Sequence, residues 1–159
     1  MHKMFWLLVA IATLLAACST IDCSLNSRVA VTYKLAGDVK KLTHPLTVTA
    51  HLGDGNDSIL LNQLANTDSF QLPMSYNRHE DTLYFKTKTT AKALTDTVII
   101  TKINIPHFEA VDCNPIFFHE IKDVKCTRHF IDTIVVNNKH VTNVPSKSNF
   151  FLHLKSDIH

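Results

Sequence analysis

The chain has 159 residues, with 16 Lys and Arg against 14 Asp and Glu, and only three glycines. This length fits one domain with its own hydrophobic core. The charge is close to balanced and no run of Lys or Arg occurs, which argues against nucleic acid as a partner. The scarcity of glycine argues against glycine-rich cofactor loops, so no cofactor is expected.

Residues 1–17 are predicted to form a secretory signal peptide. His2 and Lys3 give a positive start, and Met4 to Leu15 run apolar except at Thr13. Twelve residues span about 18 Å as a helix, which is too short for a bilayer core of about 30 Å. That length is typical of the apolar region of a signal peptide.

The end of this segment predicts a lipid-bearing cysteine. An ordinary cut after Ala17 would place bulky Leu15 at the −3 position, where signal peptidase prefers a small residue. Leu15-Ala16-Ala17-Cys18 instead looks like a lipobox, in which the cysteine becomes the first residue and carries diacylglyceryl and palmitate-type chains. An ordinary cut after Ser19 is the alternative. Two or more acyl chains would anchor the protein stably, with residues 18–22 as a tether to a domain of residues 23–159.

The rest of the chain predicts an all-β domain. Residues 29–35 and 46–52 alternate apolar and polar side chains with a period of two, and Gly53 to Asn56 is a hairpin signal. Val98 to Ile105 is partly apolar on both faces, which predicts a central strand. No segment has a convincing helical period, so we expect a single antiparallel β-sandwich, immunoglobulin-like in general type. The predicted strands are residues 28–35, 45–52, 57–62, 68–72, 82–88, 96–104, 116–122, 129–137 and 149–155.

Four aspartates share a local pattern, in which Asp is followed by Ser or Thr and then by an aliphatic residue. They are Asp57, Asp81, Asp96 and Asp132. We interpret them as residues at strand starts whose carboxylates accept hydrogen bonds from nearby backbone N–H groups. A shared metal site is the alternative.

Several short motifs resemble a family of uncharacterised lipoproteins from Bacteroidetes-type bacteria. The resemblance implies an all-β envelope protein with one matching pair of cysteines, here Cys23 and Cys113, and Cys126 is not part of the pattern. The motifs are Asp22-Cys23-x-Leu25-Asn26, Leu72-Pro73-Met74-Ser75, Pro106-His107-Phe108, Asp112-Cys113 and Ile131-Asp132-Thr133-Ile134.

With Cys18 lipidated, three cysteines remain, which in an oxidising compartment means one bridge and one free thiol. The residues alone allow all three pairings. Cys23 with Cys113 closes the longest loop, whereas Cys113 with Cys126 could bridge a hairpin. The resemblance favours the Cys23–Cys113 disulfide and leaves Cys126 as a buried free thiol.

Two residue sets were considered as metal sites, and no metal is expected at either. The zinc set has spacings that match no structural zinc pattern. The calcium set lacks the glutamate that closes a twelve-residue loop. The sets are Cys113, His119, Cys126 and His129 for zinc, and Asp54, Asn56 and Asp57 for calcium.

No catalytic residue is predicted, and the chain is not expected to be an enzyme. Motifs for nucleophilic, zinc or phosphate chemistry are missing from the sequence. His107 with Glu109, and His119 with Glu120, are possible acid–base pairs, but His119 and Glu120 are adjacent in a strand and point to opposite faces. Trp6, the only tryptophan, belongs to the signal peptide, which argues against an aromatic sugar platform.

Two classes of function remain. The first is a non-catalytic structural or interaction lipoprotein that contacts an integral outer-membrane protein. The second is a ligand-binding lipoprotein for a small molecule, glycan or cation. If Cys23 is bridged, the five steps from Cys18 span at most about 18 Å and hold the domain against the bilayer. Ser19 to Asp22 lacks an acidic surface-export cluster, so we expect the periplasmic face of the outer membrane.

Overall fold

The computed structural model describes residues 29–53, 55–110, 113–144 and 147–156. The predicted signal peptide, the tether, Cys18 and Cys23 lie outside these residues. Within the described ranges there is no helix that is long and apolar enough to cross a membrane. The ten strands are β1 (Ala30–Ala36), β2 (Leu46–Ala50), β3 (Ser58–Leu64), β4 (Ser69–Pro73), β5 (Glu80–Lys88), β6 (Ala93–His107), β7 (Ile116–Cys126), β8 (Ile131–Val136), β9 (His140–Val141) and β10 (Phe150–Leu154).

The strands form two sheets, with orders β4-β1-β10-β8 and β3-β2-β5-β6-β7-β9. The all-β prediction is confirmed, and each of the nine predicted strands is present within four residues of its predicted bounds. Strand β9 was not predicted, because two residues are too few to establish a period of two.

One strand pair contradicts the purely antiparallel prediction. Strands β1 and β10 pair in parallel, with Tyr33 opposite Phe150 and Leu35 opposite Leu152. Parallel neighbours need a long connection, and here that connection is almost the whole domain. The Asn149 side chain accepts a hydrogen bond from the Thr32 N–H at 3.0 Å, which fixes the start of β10 against β1.

A single apolar core lies between the two sheets, with Tyr33 at its centre. The Tyr33 ring lies 5.0 Å from Phe70 and 5.0 Å from Phe150 in its own sheet, and 5.8 Å from Phe85 in the other. Each such aromatic pair adds about 0.5–1.5 kcal/mol beyond the burial of its area. Among the described residues, the Tyr33 hydroxyl has no hydrogen-bond partner, and burial raises its pKa far above the ordinary value.

The predicted hairpin at Gly53 to Asn56 is confirmed, because β2 and β3 are antiparallel neighbours. Gly53 has φ of 102° and Gly55 has φ of 73°. Positive φ is strained for residues with a Cβ, so glycine suits both turn positions.

Strands β6 and β7 form a long hairpin that extends past the rest of its sheet. Pairing with β5 ends at Thr101, but β6 and β7 stay paired as far as His107 and Ile116. We call residues 102–108 and 116–121 the hairpin end. The prediction of a central strand is confirmed as far as Thr101, where β6 lies between β5 and β7, and is wrong beyond it. Ile103 and Ile105 are 43% and 42% exposed, because β5 has ended.

Candidate functional site

The predicted cysteine roles fall partly inside the described chain. Cys113 is described and is not free, whereas Cys23 is not described, so their disulfide stays a prediction. Cys126 is a free, half-buried cysteine, so the alternative Cys113–Cys126 bridge is wrong. Burial and, secondarily, the Asp96 carboxylate raise the pKa of the Cys126 thiol, so it stays protonated and is a poor nucleophile at neutral pH.

The zinc candidates have separate partners. The His119 ring bonds to Asn104 at 2.8 Å, and His129 Nδ1 lies 3.0 Å from Asp96 Oδ1. Of the calcium candidates, Asp54 is not described, and Asp57 lies 3.2 Å from His51. In the described part of the chain, no three His, Cys, Asp or Glu side chains are grouped to hold a metal ion.

Asp96 is a fully buried carboxylate that holds a turn in place. It accepts hydrogen bonds from the N–H groups of His129, Phe130 and Ile131 at 2.7–2.8 Å, and from the Thr127 hydroxyl at 2.7 Å. Burial alone would raise the pKa of Asp96, but these bonds outweigh it and lower the pKa. Asp96 does accept hydrogen bonds from backbone N–H groups, but it lies within β6 and the donors are 33–35 residues away, so the predicted local role at a strand start is wrong for this aspartate.

Lys102 lies at the base of the hairpin end, and its ammonium group is buried. The Nζ atom donates to the carbonyls of Ser75 at 2.7 Å and Arg78 at 2.6 Å, and lies 3.3 Å from the Asp81 carboxylate. Asp81 also accepts hydrogen bonds from the N–H and hydroxyl of Ser75. Burial lowers the pKa of Lys102, and the Asp81 charge opposes that change. The lysine therefore ties the segment between β4 and β5 to the sheet.

Two further polar residues continue this network along the same face of the hairpin end. Asn104 donates to the carbonyls of Tyr76 at 2.9 Å and Arg78 at 2.8 Å, and bonds to His119. His119 is only 3% exposed. Burial, followed by the nearby Lys102 charge, lowers the pKa of His119 to about 4, so the ring is neutral at pH 7.

The suggested acid–base pairs do not form catalytic arrangements. Glu120 is held by Lys122 at 2.6 Å, while the adjacent His119 is buried against Asn104. The His107 ring stacks on Phe118, with ring centroids 4.4 Å apart.

The hairpin end carries an exposed apolar surface. Tyr76, from the tied segment, is 65% exposed and stacks on Phe117 with centroids 5.4 Å apart, and Phe108 is 64% exposed. We call the whole set the aromatic surface. It consists of Tyr76, Ile103, Ile105, Phe108, Phe117 and Phe118.

An open groove of about 600 Å³ runs beside Tyr76 and Phe117. Its walls are mostly apolar, and of its polar side chains His119 already bonds to Asn104. Ligand pockets usually combine apolar walls with several converging polar groups, and this groove offers few. The remaining lining residues are Val29, Ala30, Gln71, Pro73 and Met74.

Sequence reasoning missed Lys102 and Tyr76. Val98 and Ile100 point into the core, and the same period of two places Lys102 inward. A charged residue at an inward position was therefore a readable signal of a buried ion pair. No pattern of comparable strength marks Tyr76, since its place depends on contacts with β6.

Comparison with known proteins identifies a family and nothing more. Residues 45–154 match the model of a family of unknown function, DUF6452. No curated protein and no solved structure matches the chain.

Our first prediction concerns the disulfide. Peptide mapping of the mature protein without reductant should recover a peptide in which Cys23 is linked to Cys113. Cys126 should be recovered separately, as a thiol that can be alkylated. Such a bridge typically stabilises by about 2–4 kcal/mol, because it restricts the unfolded chain. A peptide containing Cys126 in disulfide linkage would contradict the prediction.

Our second prediction concerns the effect of pH on stability. The pKa of His119 is about 4 when folded, against 6.5 when unfolded, so the unfolded chain binds a proton between these values and stability falls as pH falls. The unfolding free energy should fall in the wild type between pH 7 and pH 5. This fall should be about 1–2 kcal/mol smaller in His119→Gln.

Urea titrations at the two pH values measure this difference. The control is His140→Gln, which removes a histidine that is exposed and lies outside the network of Lys102, Asn104 and His119. Equal pH dependence in the wild type and His119→Gln would contradict the buried neutral ring.

Proposed function

Because this chain belongs to DUF6452, a family of unknown function, we propose a role from its own residues. It is a non-catalytic interaction lipoprotein of the bacterial cell envelope, anchored by a lipid on Cys18 to the periplasmic face of the outer membrane. Its partner there is an integral outer-membrane protein.

The anchor is supported by the lipobox-like segment that ends at Cys18 and by the resemblance to Bacteroidetes-type lipoproteins. Eleven residue steps separate Cys18 from Val29, the first described residue, and they span at most about 40 Å. A Cys23–Cys113 bridge would shorten the free tether to five steps, or about 18 Å. Both lengths keep the domain near the membrane.

The observation that carries this proposal is the location of the aromatic surface. Val29 lines the groove beside Tyr76 and Phe117, so the described chain begins at the end of the domain that exposes its aromatic rings. Contiguous exposed apolar residues on a soluble domain mark sites of contact with other proteins or membranes. The end of the domain from which the tether leaves is thus the end that faces the membrane, where the partner is embedded.

A non-catalytic role is supported by how the ionisable groups inside the domain are used. Lys102 binds backbone carbonyls, Asp96 binds backbone N–H groups, and His119 bonds to Asn104. These groups hold the fold together and leave few polar atoms facing the groove. The proposal therefore includes no catalytic residue, metal or cofactor.

The periplasmic face is favoured by the sequence of the tether. Lipoproteins that such bacteria export to the cell surface typically carry a cluster of acidic residues just after the lipidated cysteine. Ser19 to Asp22 contains only one acidic residue. A domain held this close to the bilayer can contact a membrane-embedded partner, whereas a domain that binds ligands away from the membrane would need a longer tether.

A ligand-binding lipoprotein is the second candidate, and the groove favours it. A volume of about 600 Å³ is large enough for a small molecule. This candidate ranks lower because His119 is already bonded within the fold.

For the fold, we propose the immunoglobulin-like type of β-sandwich. Two sheets that share one core support it, while the parallel β1–β10 pair and the six-stranded sheet are departures from a simple seven-strand version.

The third prediction tests the anchor. Cys18→Ala should abolish labelling by a fatty-acid analogue, change the processing of the signal peptide and weaken membrane association, because the thiol that carries the proposed acyl chains is removed. Ser24→Ala, which leaves Cys18 intact, is the matched control. Membrane association that persists in unlabelled Cys18→Ala would refute the anchor.

The fourth prediction tests the interaction. Wild-type protein, tagged and cross-linked in cells before detergent extraction, should co-purify with an integral outer-membrane protein, because anchoring raises the effective concentration of the two proteins. The Cys18→Ala protein from the same cells should recover much less of it. Equal recovery, or recovery of a bound small molecule instead, would favour the second candidate.

A further inference from the structure

Resting on the proposed anchor, we propose that the hairpin end lies in the headgroup layer of the bilayer. The aromatic surface then contacts lipid directly. The turn between β5 and β6 points away from the membrane, because β6 runs about 46 Å from that turn to the hairpin end.

Beyond the polar network of Lys102, Asn104 and His119, the tip of the hairpin end is apolar on both faces, which distinguishes lipid from a protein partner. Ile105 is paired with Phe118 on one face, and Pro106 is paired with Phe117 on the other. Cross-strand partners share a face, and successive residues alternate between faces. A protein groove that bound one face would leave the other in water, whereas a lipid layer surrounds both.

The types of side chain fit the membrane–water interface. Tyr76 presents a tyrosine ring, a type that is enriched at headgroup level in membrane proteins. Phe108 and Phe117 add apolar rings, which interfacial segments bury at the boundary between headgroups and acyl chains. Tyrosine suits this layer because one end is apolar and the other bonds with water.

The aromatic surface is held in a fixed position. Lys102 and Asn104 bind the carbonyls on either side of Tyr76, at Ser75 and Arg78. Tyr76 therefore loses little conformational freedom when it meets the lipid, so less of the contact energy is spent on ordering.

Charged residues set the depth. Glu120, opposite Ile103, forms an ion pair with Lys122 and ends the apolar stretch on the side of the sheet. Glu109 is exposed directly after Phe108. Carboxylates at both limits favour immersion among headgroups over burial in hydrocarbon, where an ionised group is costly.

The positions of the exposed lysines argue against electrostatic binding of the hairpin end to anionic lipid. Lys86, Lys88 and Lys92 are exposed at the β5–β6 end, far from the aromatic surface. Anionic lipids attract surfaces that carry clustered basic residues, and the hairpin end lacks such a cluster among its described residues. Binding should therefore not depend on anionic lipid.

The experiment uses tryptophan as a reporter, since the mature chain has none of its own. Full-length Phe108→Trp protein is expressed, processed in cells and mixed with vesicles of phosphatidylethanolamine and phosphatidylcholine. Its emission should shift to shorter wavelength, and lipids brominated near the headgroup should quench it more than lipids brominated near the chain ends. Adding phosphatidylglycerol should leave the quenching unchanged.

Ala91→Trp is the matched control, because Ala91 is exposed in the β5–β6 turn at the opposite end of the hairpin. Its emission should neither shift nor be quenched. No quenching at position 108, equal quenching at positions 91 and 108, or quenching that requires phosphatidylglycerol would each overturn the proposal. So would a shift seen with native outer membranes but not with pure lipid vesicles, because the surface would then contact a membrane protein.

The anchor is scored separately, by the mass of the processed N-terminus and by flotation with the vesicles. An unlipidated protein would refute the proposed anchor. The quenching at position 108 still decides the lipid contact in that case, since vesicles can be supplied in excess.

Discussion

The buried ammonium group of Lys102 is the constraint on which the hairpin end depends. A charge taken out of water destabilises the fold by several kcal/mol unless it finds a counter-charge and further acceptors. Asp81 supplies the charge, and the carbonyls of Ser75 and Arg78 supply the acceptors. The segment between β4 and β5 must therefore lie across β6, and Tyr76 is carried to its exposed place by that requirement.

The hairpin end consequently has an arrangement opposite to that of the main core. Between the sheets, the inward side chains are mostly apolar, with Tyr33 and Phe85 fully buried. Past Thr101, polar Lys102 and Asn104 lie inward, while Ile105 lies outward. A polar interior beneath an apolar exterior is stable where the surroundings are themselves partly apolar, which is the physical basis of our proposal for its environment.

Local patterns in the sequence predicted the strands well, because alternation depends on a period that each segment carries by itself. They failed where the outcome depends on another segment. The apolar pattern at Ile103 and Ile105 resembles a central strand, yet β5 stops at Glu80, opposite Thr101. The aspartate pattern identified Asp96 as a backbone acceptor, but not the distant turn that it holds. The exposure of the aromatic surface could not be predicted from local patterns, since that of Ile103 and Ile105 follows from the end of β5 and that of Tyr76 from the network around Lys102.

The parallel pairing of β1 with β10 has a consequence for how an exported chain matures. The Thr32 N–H finds its partner in Asn149, 117 positions further along. Closing so long a loop is entropically costly, and folds dominated by such distant pairings form slowly. A chain that crosses a membrane N-terminus first presents β1 long before β10 arrives. On the proposed export route, the four-stranded sheet would therefore stay incomplete until translocation is nearly finished.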